Sequence, residues 1–171
     1  MIELLILYSL NKRERTLYSL RADIIEKFGH FTRPSIGTIH PALKRMLACN
    51  IAAMRNDFSQ GGKKSTFYGL TSTGLKHFRE LFFKQFSENP TLFFTEIQSK
   101  IATISLLETG DKELFVKELL LKLELYLLDL RNTAEDEYIE RDEFQKNLLH
   151  KNIEDVERYI KFVETLKSCL Q

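Results

Sequence analysis

The sequence predicts a mostly α-helical protein with a small β wing: an N-terminal winged helix-turn-helix followed by a helical C-terminal dimerisation domain. Three observations carry that prediction. Short helical patterns open the chain, the apolar period turns strand-like over residues 51–71, and long helical patterns fill the rest. At 171 residues and 43% hydrophobic, the chain has enough apolar side chain to build a core. With only 7 glycines and 3 prolines, helices are favoured over a loop-rich β fold.

Residues 2–10 read as a short helix ended by Asn11. In "TLYSLRADIIEKFG" (16–29), Leu17, Leu20, Ile24, Ile25 and Phe28 form one apolar stripe, and Gly29 is a C-terminal stop. A third helix covers about 35–48, in "RPSIGTIHPALKRML". Its back half is ordinary, because Ala42, Leu43, Met46 and Leu47 fall at helical spacing while Lys44 and Arg45 point elsewhere. Its front half holds Pro34, Gly37 and Pro41. If Thr38 is the N-cap, Pro41 falls where its missing N–H has no intrahelical partner; if Ser35 caps, Pro41 lies one turn deeper and costs a hydrogen bond. Either start offers free amides and hydroxyls followed by two cations, which suits an anion.

"IAAMRND" (51–57) and "STFYGLT" (65–71) flank "FSQGGKK", a hairpin whose tip is Gly61, Gly62, Lys63 and Lys64. From Thr71 the chain returns to helix, with Leu75, Phe78, Phe82 and Phe86 on one face. This order of elements is that of a winged helix-turn-helix, whose third helix enters the DNA major groove. The candidate DNA contacts are therefore Arg33, Ser35, Thr38, His40, Lys44, Arg45, Lys63 and Lys64. Each has a plainer alternative. Ser35 and Thr38 could only cap the helix, His40 could be a partly packed imidazole, and Arg45 could brace the core or a nearby carboxylate. Arg33 either clamps the DNA backbone or is a loop cation; Lys63 and Lys64 either follow phosphates or solubilise a turn. Tyr68 reads as core.

The charge distribution agrees. Residues 1–86 hold 14 Lys+Arg against 6 Asp+Glu, a net of +8, whereas 87–171 hold 11 against 18, a net of −7. A basic domain over 1–86 and an acidic one over 87–171 imply different partners, duplex DNA for the first.

The back half reads as helices over about 91–107, 111–131 and 136–169, the second opened by Asp111 after Gly110. Phe93, Phe94, Ile97, Ile101 and Ile104 line the first. Leu149, Ile153, Val156, Ile160, Val163, Leu166 and Leu170 form a near-heptad seam on the last. That seam, with a second helix apolar around most of its circumference, predicts a homodimer whose main contact is residues 136–170, with packing within the chain alone as the alternative. The Glu and Asp residues of 135–143 read as a solvated acidic face.

Other function classes find little support. There is no Gly-rich phosphate loop, no nucleophile with a plausible partner and no metal-ligand spacing, so neither an enzyme, a cofactor nor a metal is expected. Cys49 and Cys169 are isolated, as for free thiols in a reducing cytoplasm. "MIELLILYSL" carries Glu3, lacks a basic start and runs into "NKRER", so neither a signal peptide nor a membrane span is expected. The reading from a different class is a winged-helix protein-interaction or scaffold module without DNA binding.

"RPSIGTIHPALKRML" and "GGKKSTFYGLTSTGLKHF" together closely resemble the PadR transcriptional regulators. That family's recognition helix reads roughly Pro-Ser-x-Gly-Thr-Ile-Tyr-Pro-Ala-Leu-x-Arg-Leu. Its Tyr-Tyr-x-Leu-Thr-x-x-Gly pattern is echoed by Phe67, Tyr68, Leu70, Thr71 and Gly74. The resemblance covers about residues 2–86, and the tail is similar to the larger-tailed subgroup of AphA-type virulence activators. His40 stands where the family usually has tyrosine, and "TLYSLR" replaces the usual His-Gly-Tyr-Glu, with Tyr18 in place of its tyrosine. What the resemblance implies is a repressor that binds a palindromic operator as a homodimer through its C-terminal helices. It also implies a small-molecule effector, bound between the two parts, that releases DNA. Phe82, Phe83, Phe86, Phe93 and Phe94 are candidates to line such a site, or to be core.

Overall fold

The computed structural model describes residues 1–58, 62 and 64–169. The chain forms two compact units, Met1–Leu106 and Leu107–Gln171. The first contains α1 (Ile2–Lys12), β1 (Arg15–Thr16), α2 (Leu17–Phe28), α3 (Ile36–Ala48), β2 (Ala52–Phe58), β3 (Lys64–Leu70), α4 (Ser72–Phe82) and α5 (Pro90–Thr103), then a 3₁₀ turn at Ile104–Leu106. The second contains α6 (Thr109–Glu135) and α7 (Glu143–Leu166). The unit boundary falls later than the charge shift at 86/87, because α5 packs against α1.

The first unit is built around α1. Leu4, Leu5, Ile6, Leu7 and Leu10 are all buried, so the helix is covered on every side. Its neighbours are α2, α3, α4, α5 and β3. The sheet is antiparallel in the order β1-β3-β2, with Ala52 opposite Leu70 and Phe58 opposite Lys64. β1 is absent from the sequence reading, because two residues carry no periodicity. Arg15, within it, is buried with its guanidinium 2.5 Å from the Asp23 carboxylate and its Nε on the Ser9 carbonyl. This pair ties α1, β1 and α2 together. Tyr68 is only half-buried, not core.

One junction fixes the hairpin relative to α3. Asn50 takes the left-handed conformation, φ 55°, which its short polar side chain tolerates better than most. The Asn50 amide then bonds the Leu47 carbonyl and the Ile51 amide the Met46 carbonyl, a Schellman stop. The Ile51 carbonyl in turn accepts from the amide and the hydroxyl of Thr71, the N-cap of α4. Gly74 packs directly beneath, where an added Cβ would collide with the Ile51 carbonyl oxygen and the Leu70 side chain.

The phenylalanines of α4 and α5 pack on one another. Ring centroids lie 5.7 Å apart for Phe82–Phe83 and 5.3 Å apart for both Phe86–Phe93 and Phe93–Phe94. Phe78, Phe82 and Phe93 are buried. Lys100 is buried beside them, its Nζ donating to the Lys84 carbonyl at 2.7 Å and lying 3.8 Å from the centre of the Phe86 ring. Phe86 lies beyond the end of α4, and Leu75 on its expected inner face is exposed.

The second unit corrects one expectation. The helix expected over 136–169 begins only at Glu143, because Asp142 and Gln145 form a reciprocal capping box, while α6 runs on to Glu135. Much of the acidic run 135–143 is therefore the connection between two helices. The near-heptad seam of α7 is used within the chain: Val156 and Val163 are buried, and α6 is the element packed alongside. Leu149, Ile153, Ile160 and Leu166 of the same seam are only half-buried. Leu170, at its end, lies outside the described residues. Exposed apolar side chains remain on both helices, Phe144, Leu148 and Phe162 on α7 and a stripe of Leu114, Leu121, Leu125 and Leu128 on α6.

Gly74→Ala is expected to destabilise the protein by about 2 kcal/mol or more, at the upper end of overpacking costs. Urea unfolding followed by circular dichroism checks this, with the midpoint lowered and the slope unchanged.

Candidate nucleic-acid interface

The loop before α3 is held from two sides. Arg21 donates through Nε to the Pro34 carbonyl at 3.1 Å, and Arg33 donates to the Gly29 carbonyl at 3.0 Å. Pro34 is buried, so the entry to α3 is fixed. Ser35 is the N-cap: its Oγ accepts from the Thr38 amide at 3.2 Å and lies 3.1 Å from the Thr38 hydroxyl. Pro41 therefore sits in the second turn, and the Gly37 carbonyl has no amide four residues on to bond it. The amides of Ile36 and Gly37 are left without an intrahelical acceptor. Ser35, Gly37 and Thr38 are exposed around them.

The helix wheel then sorts α3. Ile39, Ala42, Leu43 and Met46 are buried, while Gly37, Pro41 and Lys44 form an exposed stripe. His40 is half-buried beside it. Lys44 has no hydrogen-bond or ion-pair partner among the described residues. Arg45 differs. Its Nε and Nη2 both reach Glu3 Oε1 of α1, at 3.2 and 2.8 Å. Of its sequence-level alternatives, the structure provides the carboxylate.

The structure also places Tyr18 in the first turn of α2, after the Thr16 cap, with its side chain 77% exposed. Arg21 is the residue that sequence reasoning missed. A half-buried arginine on an amphipathic helix gives no signal that it will grip a carbonyl thirteen positions later.

On the hairpin, Lys64 opens β3 and is exposed; Lys63 lies outside the described residues. The wing's outer half is electrostatically closed. Arg55 bonds Glu14 at 2.7 Å and also Asp57, and its guanidinium lies over the Phe67 ring at 5.1 Å. The bond from Arg55 holds the Asp57 carboxyl below the ordinary carboxylate range. Among the described residues no group of His, Cys, Asp and Glu is arranged to hold a metal ion. No described helix is long and apolar enough to cross a membrane.

Lys44→Ala is expected to weaken duplex binding and change the sequence selected from a random pool, with no change in thermal midpoint. Arg45→Ala is expected to lower the thermal midpoint and change the salt slope little, because its charge is already paired. Selection from a random pool, binding titrations at several salt concentrations and melting curves for both variants check the pair.

Residues 6–80 match the model of the transcriptional regulator PadR-like family. No curated protein matches the chain. Among solved structures the chain is similar to Bacillus subtilis PadR in complex with operator DNA, at 21% identity over 99% of this chain and 97% of that one, with a TM-score of 0.47. It is also similar to the same protein in complex with p-coumaric acid, at 21% identity over 99% of this chain and 98% of that one, TM-score 0.42. A PadR-like transcriptional regulator from Bacillus cereus shares 29% identity over 46% of this chain and 75% of that one, TM-score 0.42.

Proposed function

We propose that this chain, whose residues 6–80 carry a PadR-like transcriptional regulator domain, is a sequence-specific DNA-binding regulator that acts as a homodimer on a palindromic operator. The observation that carries the reading is the start of α3. A serine-capped N-terminus exposes two hydroxyls and two free amides, and the stripe running from it is small, then cationic at Lys44. Small residues let the backbone approach a duplex, the polar groups meet phosphates, and side chains further along reach base edges. His40 and Lys44 are assigned to bases; Arg33, Ser35, Thr38, Lys63 and Lys64 to phosphates. Arg45 is assigned to phosphate only when Glu3 releases it.

Dimerisation is assigned to the second unit. α7 covers one side of α6, and Leu114, Leu121, Leu125 and Leu128 remain exposed with steps of 7, 4 and 3 on another. A second copy of this chain suits that stripe, and two winged modules then read two half-sites. The role assigned is that of a repressor released by a small ligand, with the domain's family as its support.

Affinity for a random duplex is expected to fall at least about tenfold between 50 and 200 mM salt, since several phosphates are neutralised. A gel shift or anisotropy titration measures it, and a flat response speaks for a protein-interaction module instead. Leu121→Glu with Leu125→Glu is expected to give a monomer by sedimentation. Its affinity for a two-half-site duplex should drop by about a hundredfold, the lower range of the gain from linking two sites.

A further inference from the structure

The hairpin carries an apolar feature that phosphate binding does not use. Alternation along β2 places Ala52, Met54, Asn56 and Phe58 on one face of the sheet. At its base that face is core, since Ala52 is buried. Beyond the helices it emerges with Met54 62% and Phe58 71% exposed. Phe58 stands directly opposite Lys64, close enough for the two side chains to act on one target. The strand pair is stiff up to this point, because Thr66 donates to Asn56 at 2.9 Å on the same face. On the opposite face Arg55 is occupied by Glu14, Asp57 and the Phe67 ring. The wing thus engages its exposed arginine in local pairs and displays a phenylalanine next to a lysine.

We propose that Phe58 is an apolar wedge that enters the DNA minor groove beside the half-site and leans on a base step, while Lys64 holds the adjacent phosphate. This rests on the DNA-binding reading above and adds to it a specificity-determining contact that carries no charge. The face bearing Phe58 continues the side of the sheet on which Ala52 is buried. A ring wedged at a step partly unstacks it and kinks the duplex, which favours steps that deform easily, pyrimidine–purine above all. Phe58 therefore selects sequence through deformability, without a hydrogen bond to any base.

The test uses the full chain and a duplex selected from a random pool, labelled at both ends so that bending is read by energy transfer. Phe58→Ala is expected to bind about tenfold more weakly with an unchanged salt slope, to bend the duplex less, and to lose the preference for a pyrimidine–purine step beside the half-site. Phe58→Leu is expected to keep most of the affinity. Lys64→Ala is expected to lower the salt slope by about one and keep the step preference. Binding and bending by Phe58→Ala equal to wild type overturn the wedge and leave DNA binding standing. A lowered thermal midpoint in that variant assigns the ring to packing, and a changed sedimentation coefficient assigns it to a second copy; either overturns the wedge. Failure of the wild type to select any duplex overturns the DNA-binding reading as well.

Discussion

The Ile51 carbonyl is the point on which the winged unit depends. α3 ends in the residues just before it, β2 begins just after it, and the Thr71 cap of α4 closes on its oxygen. α3, β2 and α4 are therefore joined within a few residues, and β1 adds a second hold on the hairpin by pairing with Tyr68 and Phe67 of β3. Gly74 lets α4 approach closely enough to complete the junction, and the left-handed Asn50 turns the chain into it. So short a junction fixes helix and hairpin relative to each other more rigidly than a loop would.

Charge in this unit is less available than its formal balance suggests. Arg15 is spent on Asp23 in the interior, Arg45 on Glu3, and Arg55 on Glu14 and Asp57. Arg33 and Arg21 hold carbonyls. Several cations thus carry architectural bonds, Arg33 through its Nε alone, while Lys44 and Lys64 are exposed. That division follows from the chemistry of the two side chains. The planar guanidinium forms several directed bonds and suits bracing, whereas the ammonium is a compact charge that is cheap to leave in water.

How much of this was legible in the sequence varies with the range of the interaction. The helices of the first unit, the bounds of the two hairpin strands to within a residue, and the Ser35 cap as one of two alternatives all follow from local pattern. The β1 strand does not, since its two residues form a strand only because Tyr68 and Phe67 lie alongside. Nor do the partners of Arg45 and Arg55, which lie about forty positions away in the chain. At the candidate site, the residue types around Ser35 and Lys44 were readable, but which arginines were already occupied was not. In the second unit, the capping box at Asp142 and Gln145 was present in the letters and outweighed by the length of the apolar pattern. A hydrophobic seam shows that a partner exists and says nothing of whether it belongs to the same chain.

That last ambiguity has a physical resolution in α6. A helix apolar on nearly every side cannot be covered by one neighbour, because a single packed helix shields only about a third to a half of a cylinder. α7 takes one side with Val156 and Val163, and Phe115, Val116, Leu119 and Leu123 are buried. The stripe from Leu114 to Leu128 is the residue of that count, and Glu118, Lys117, Lys122 and Glu124 border it with both signs of charge. Mixed charges flanking a leucine stripe suit pairing of like with like, since in an antiparallel arrangement each acid can meet the partner's base. The same bordering charges keep water at the edges of the uncovered stripe.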